Sequence, residues 1–98
     1  MIHLRGNNFY PSALEAVIRQ FADVAEFRLE ADYTGSLPVL RVEVEPIRAD
    51  LSAQVAERVD RAIRDQLLFR AEVRAVEPGR LPRFEVKARR FVRKMKNE

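Results

Sequence analysis

Two short stretches alternate apolar and charged residues with a period of two. Phe27, Leu29 and Ala31 alternate with Arg28, Glu30 and Asp32; Leu40, Val42 and Val44 alternate with Arg41, Glu43 and Glu45. That period puts the apolar set on one face of a strand and the charged set on the other. Between them "YTGSLP" offers turn-forming residue types, so the spacing predicts an antiparallel hairpin. Pro46 has no N–H and is expected to stop the pairing. A half-apolar hairpin cannot stand alone, so the rest of the chain must supply a cover for one face.

Two stretches with helical spacing can do so. "SALE", Ser12 to Glu15, has the spacing of a capping box, and Leu14, Val17, Ile18 and Phe21 then share one helical face. This predicts a helix from about Ser12 to about Phe21. In "ADLSAQVAERVDRAIRDQLLF", Asp50 is a candidate N-cap and Leu51, Val55, Val59, Ile63 and Leu67 form an apolar stripe. Glu57 with Arg61, and Asp60 with Arg64, are favourable i,i+4 pairs on the wet side. Ile2 and Leu4 alternate with His3 and Arg5 before a turn in "GNNFYPS", and "AEVRAV" alternates again before "EPG". The predicted order is β-α-β-β-α-β. That is an α+β, ferredoxin-like arrangement with one antiparallel sheet and two helices on one face. The expected core includes Val17, Phe21, Val42, Val55 and Ile63. The last dozen residues, "KARRFVRKMKNE", are expected to form a basic extension outside this unit.

The chain has 98 residues, which fits a single domain over residues 1–98. It has no cysteine, so disulfides, thiolate metal sites and cysteine nucleophiles are excluded. No apolar run is long enough to cross a bilayer, and "MIHLRGNNF" lacks the apolar centre of a signal peptide. A cytoplasmic location is expected, with no membrane partner. The net charge of +3 is concentrated at the C-terminal end, which favours an anionic partner. His3 is the only histidine and has no acidic cluster around it in sequence, so no metal site is expected. The glycines form no phosphate-binding pattern. A nucleic-acid-binding sheet would need exposed aromatics to stack bases, whereas "AEVRAV" has none and "LRVEVEP" turns acids outward.

Two segments remain. "RGNNFYPSALE", Arg5 to Glu15, resembles the segment after the hinge in AMP-forming acyl-CoA ligases, nearest the phenylacetate–CoA ligase branch. "VEPGRLPRFEVKARRFV" resembles the C-terminal end of that branch, with its Glu-Pro-Gly, Leu-Pro-Arg and Lys-Ala-basic-Arg runs in the same order. The resemblance covers nearly the whole chain. It implies the mobile C-terminal lid of an enzyme that uses ATP, coenzyme A and Mg2+ to convert a small-molecule carboxylate, through an acyl-adenylate, to a thioester. The partner implied is a large N-terminal adenylation domain, which would hold the acid, ATP and Mg2+. None of these ligands is expected on this domain alone, and the 98-residue chain is expected to have no ligase turnover by itself.

By the same resemblance, Lys87 takes the place of the lysine that reaches the nucleotide and carboxylate during adenylation. Arg5, Gly6 and Asn8 match the turn that faces the active site during thioester formation. Two positions depart from the branch. Val86 stands where glycine is frequent and Phe84 where serine is frequent. Met1 falls just past the family's hinge, which implies an excised domain or a product of a split or truncated gene. The alternative function is a free-standing ferredoxin-like regulatory or protein-interaction module, such as a homodimer holding a metabolite between sheets. The acid itself is not legible.

Overall fold

The computed structural model describes residues 2–4, 7–82 and 91–95. Its centre is the predicted hairpin. Strand β3 (Val24–Asp32) pairs antiparallel with β4 (Val39–Pro46), with Phe27 opposite Val44 and Leu29 opposite Val42. The register shifts between Val24 and Glu26, which lets Val24 reach Pro46 at the end of the ladder. Helix α1 (Pro11–Ile18) precedes the hairpin. A short 3-10 turn, Ala49–Leu51, and helix α2 (Ser52–Leu67) follow it.

The apolar faces meet as the alternation requires. Leu14, Val17 and Ile18 of α1 and Val55, Val59 and Ile63 of α2 are buried with Phe27, Leu29, Ala31, Leu40, Val42 and Val44 of the hairpin. Phe21, Leu51 and Leu67 pack against the rim of this cluster, only partly buried. The pairs Glu57–Arg61 and Asp60–Arg64 form at 3.3 and 3.6 Å. The fold is α+β, with two helices and one four-stranded sheet, as expected for a ferredoxin-like lid.

The sheet is mixed rather than wholly antiparallel. After α2 the chain enters β5 (Glu72–Ala75), parallel to β4, because the helix returns it to the end of the sheet where β4 began. The other edge is β6 (Phe91–Lys94), parallel to β3, and the order is β5-β4-β3-β6. The basic C-terminal end is therefore part of the sheet, not wholly an extension outside it. Edge strands commonly carry Lys and Arg, so the charges of "FVRK" suit this place. Phe91 joins the core rim, and the Tyr33 N–H donates to the Lys94 carbonyl at 2.7 Å.

The expected first strand also sits elsewhere. β1 (Ile2–Leu4) pairs with β2 (Asn7–Phe9) in a separate two-stranded ribbon, so Asn7 and Asn8 lie in a strand rather than a turn. Two three-residue strands satisfy each other's backbone groups and leave the main sheet to β6.

The predicted caps do not form. Tyr10 is the N-cap of α1 without a side-chain bond, and Pro11 at the first turn needs no partner for an N–H it lacks. Leu51, not Asp50, is the N-cap of α2; Asp50 instead pairs with Arg48 at 3.3 Å.

Candidate functional site

Of the four residues picked out by resemblance, Asn8 alone lies among the described residues. It is exposed on β2, opposite His3 of β1. Arg5 and Gly6 fall in sequence between the paired residues Leu4 and Asn7 and lie outside the described residues. Lys87, with Phe84, Val86, Arg89 and Arg90, also lies outside them. The structure does describe both approaches to the Lys87 segment.

On the N-terminal side, β5 ends in a turn. The Arg80 N–H donates to the Glu77 carbonyl at 3.0 Å, and Gly79 has φ +83°. A side chain rarely adopts that conformation, which accounts for glycine after Pro78. The turn delivers Leu81, which is buried and whose N–H donates to Glu45 Oε1 at 3.0 Å. On the C-terminal side the chain enters β6 at Phe91, opposite Leu29. Both approaches are thus tied to the central hairpin, one through a side chain and one through a ladder.

The sheet face away from the helices carries the charged half of the alternation. A groove of about 320 Å³ there is lined by Arg28, Glu30, Arg41, Glu43, Glu72 and Arg74. Its charges neutralise one another. Arg41 lies 2.5 Å from Asp32, 3.5 Å from Glu72 and 3.9 Å from Glu30; Arg74 and Arg28 lie 2.6 and 3.7 Å from Glu43. The Thr34 hydroxyl and N–H bond Asp32 Oδ1 at 2.6 and 2.9 Å. Thr34, and then Arg41, hold the Asp32 carboxyl well below the usual carboxylate range, and Asp32 in turn raises Arg41. This is an ionic ladder that fixes the hairpin end. Among the described residues it presents no spare cation for an anionic ligand and no nucleophile beside a base.

Among the described residues, no group of three His, Cys, Asp or Glu side chains could hold a metal ion. Among the same residues, no helix is long and apolar enough to cross a membrane.

Sequence reasoning missed the contact between Glu45 and Leu81. Its residues are 36 positions apart, and only the hairpin register brings a signal: Glu26 and Glu45 face each other with like charge.

Comparison with known proteins places this geometry. The chain resembles a domain of phenylacetate-coenzyme A ligase from Bacteroides vulgatus ATCC 8482, with 25% identity over 100% of this chain and 95% of that one, at a TM-score of 0.80. It also resembles 2-hydroxyisobutyryl-CoA ligase in complex with 2-HIB-AMP and CoA in the thioesterification state: 26% identity, 97% of this chain, TM-score 0.82. The same ligase in the postadenylation state with 2-HIB-AMP gives 28% identity over 96% of this chain and a TM-score of 0.80. This chain spans 21% of the length of that ligase. A search of curated proteins finds no match. The sequence model for the AMP-binding enzyme C-terminal domain matches residues 6–94, nearly the whole chain, and the chain belongs to that family.

Proposed function

We propose that this chain is the mobile C-terminal lid of an ATP-dependent, AMP-forming carboxylate–CoA ligase resembling phenylacetate–CoA ligase. The observation that carries this reading is the family match over residues 6–94 together with full-length similarity to a phenylacetate-coenzyme A ligase domain. The acid and nucleotide belong to a large N-terminal adenylation domain. The comparison with 2-hydroxyisobutyryl-CoA ligase supports a lid that moves as a unit. One compact fold matches that enzyme both in its postadenylation and in its thioesterification state, so the change of state does not require the domain to refold.

Lys87 supplies positive charge during adenylation. Negative charge gathers where the carboxylate meets the α-phosphate, and a positioned ammonium stabilises it. When the lid turns, the ammonium is withdrawn and the segment carrying Arg5, Gly6 and Asn8 faces the thioester-forming site. Gly6 leaves room there for the pantetheine arm of coenzyme A.

The test measures both half-reactions in an enzyme that joins this domain to its adenylation domain. Lys87→Ala is expected to slow acyl-adenylate formation by about 10²–10³, as for other preorganised donors. Thioester formation from preformed acyl-adenylate is expected to change far less. Equal slowing of both steps, or of neither, would remove Lys87 from the mechanism.

A further inference from the structure

Glu15 lies on α1 without the capping box expected around it, since Tyr10 and not Ser12 is the N-cap. Its Oε1 is buried and accepts no hydrogen bond, the one buried side-chain nitrogen or oxygen in that condition among the described residues. Arg19 stands four positions further along the chain, the spacing of a helical ion pair. Its guanidinium instead lies 5.8 Å from the centre of the Phe27 ring. Buried acceptors are nearly always satisfied, because taking one from water without a donor is costly. The surface leading to Glu15 is open. Asn8, Tyr10 and Ser12 are exposed, and Tyr10, a large aromatic residue, keeps 58% of its surface. Tyrosine is enriched where protein surfaces meet.

We propose that Glu15 is a docking residue of the lid: its buried oxygen accepts a hydrogen bond from a donor on the adenylation domain when the lid takes its thioester-forming position. This rests on the function proposed above, in which the segment that includes Asn8 then turns toward the large domain. Tyr10 follows Asn8 by two residues, and Glu15 sits about 7 Å further along the helix axis. A surface that meets Asn8 and passes Tyr10 therefore reaches the second turn of α1. This chain spans 21% of the ligase whose thioesterification state it resembles, so most of such an enzyme lies outside it and can supply the donor. The bond exists only once that domain covers Glu15. The cost of the unmet acceptor thus falls on the free lid, and the gain falls on one docked state. Glu15 touches no reacting atom in this scheme; it is a positioning residue that holds the lid in place.

The first arm of the test is urea unfolding of the 98-residue chain. Glu15→Met keeps the length and helix preference of the side chain and removes the acceptor. Its unfolding midpoint should equal or exceed the parent's, because no bond is lost and an unmet oxygen is gone. The second arm measures the half-reactions in the enzyme with its adenylation domain. There Glu15→Met should slow thioester formation from preformed acyl-adenylate about tenfold, the loss of one hydrogen bond to a carboxylate. Acyl-adenylate formation should change less than about twofold. Glu15→Gln keeps an acceptor oxygen and should recover most of the loss. A midpoint clearly below the parent's would show that a donor within the chain already satisfies Glu15, and overturns the proposal. Equal slowing of both steps, or a Gln variant no better than the Met variant, overturns it too. So does an unaltered thioester step in an enzyme where Lys87→Ala slows adenylation. An unimpaired Lys87→Ala instead overturns the functional reading, while the midpoint still decides whether Glu15 lacks a donor in the free lid.

Discussion

At the scale of single residues, the i,i+4 ion pairs of α2 were legible, whereas the expected caps of both helices were not, since Tyr10 and Leu51 take those places without a side-chain bond. Glu57–Arg61 and Asp60–Arg64 are fixed by helical spacing, and both form. The arrangement around Asp32 was not legible, because its acidic side chain turns forward to Thr34 and across the hairpin to Arg41. These bonds have a pH consequence. The native pKa of Asp32 lies below its unfolded value, so its contribution is present above that unfolded value, near pH 4, and is lost as pH falls through the native one. Asp32→Asn should be less stable than the parent at neutral pH. The gap should narrow as pH falls below about 4, as urea unfolding at a series of pH values would show. Leu68 is a second case. It ends α2 at φ 59° with its side chain 80% exposed, so it bears left-handed strain with little burial in return. Leu68→Gly should stabilise the chain by about 0.5–1 kcal/mol, relief of strain exceeding glycine's added freedom in the unfolded state. A fall in the unfolding midpoint would contradict that account.

At the scale of elements, long periodic stretches were legible, and so was the four-residue β5, but which sheet a short strand joins was not. The stripe of α2 repeats over sixteen residues, and Val55, Val59 and Ile63 are fully buried where it predicts. Four residues of β6 carry too little pattern to distinguish a parallel edge strand from a basic tail. Their pairing with β3 is decided by the distant hairpin. The same long reach hid the Glu45–Leu81 bond, since neither residue signals the other within its own element. Ile63 and Leu67 offer a direct comparison on one helix. Ile63 has no exposed surface, while Leu67 lies at the cluster rim. Ile63→Ala should cost about 2–5 kcal/mol, and Leu67→Ala clearly less, because its site can relax toward solvent. Equal losses in chemical denaturation would mean that the stripe is not the main tie between α2 and the sheet.

At the scale of the whole molecule, the two sheet faces divide the work. One face is closed by α1 and α2 over an apolar core. The other is an ionic ladder at the end carrying Asp32 and a buried carboxylate pair at the end carrying Leu81. Among the described residues, the groove of about 320 Å³ is lined almost wholly by paired charges and supplies no apolar pocket for an acid. The chain also spans about a fifth of 2-hydroxyisobutyryl-CoA ligase. The 98-residue chain alone should therefore form neither acyl-AMP nor acyl-CoA from a panel of carboxylates with ATP, Mg2+ and coenzyme A. Joined to the adenylation domain of a related ligase that lacks its own C-terminal domain, it should restore both half-reactions. In that enzyme a bulky replacement such as Gly6→Phe should slow the thioester step more than adenylation, the opposite bias to Lys87→Ala, because it fills space needed by the pantetheine arm instead of removing charge. Mass detection of acyl-AMP and acyl-CoA measures the two products separately. Turnover by the isolated chain would show that its sites are complete without a second domain. Matching biases for the Gly6 and Lys87 variants would show that the two segments do not serve alternate states of a lid.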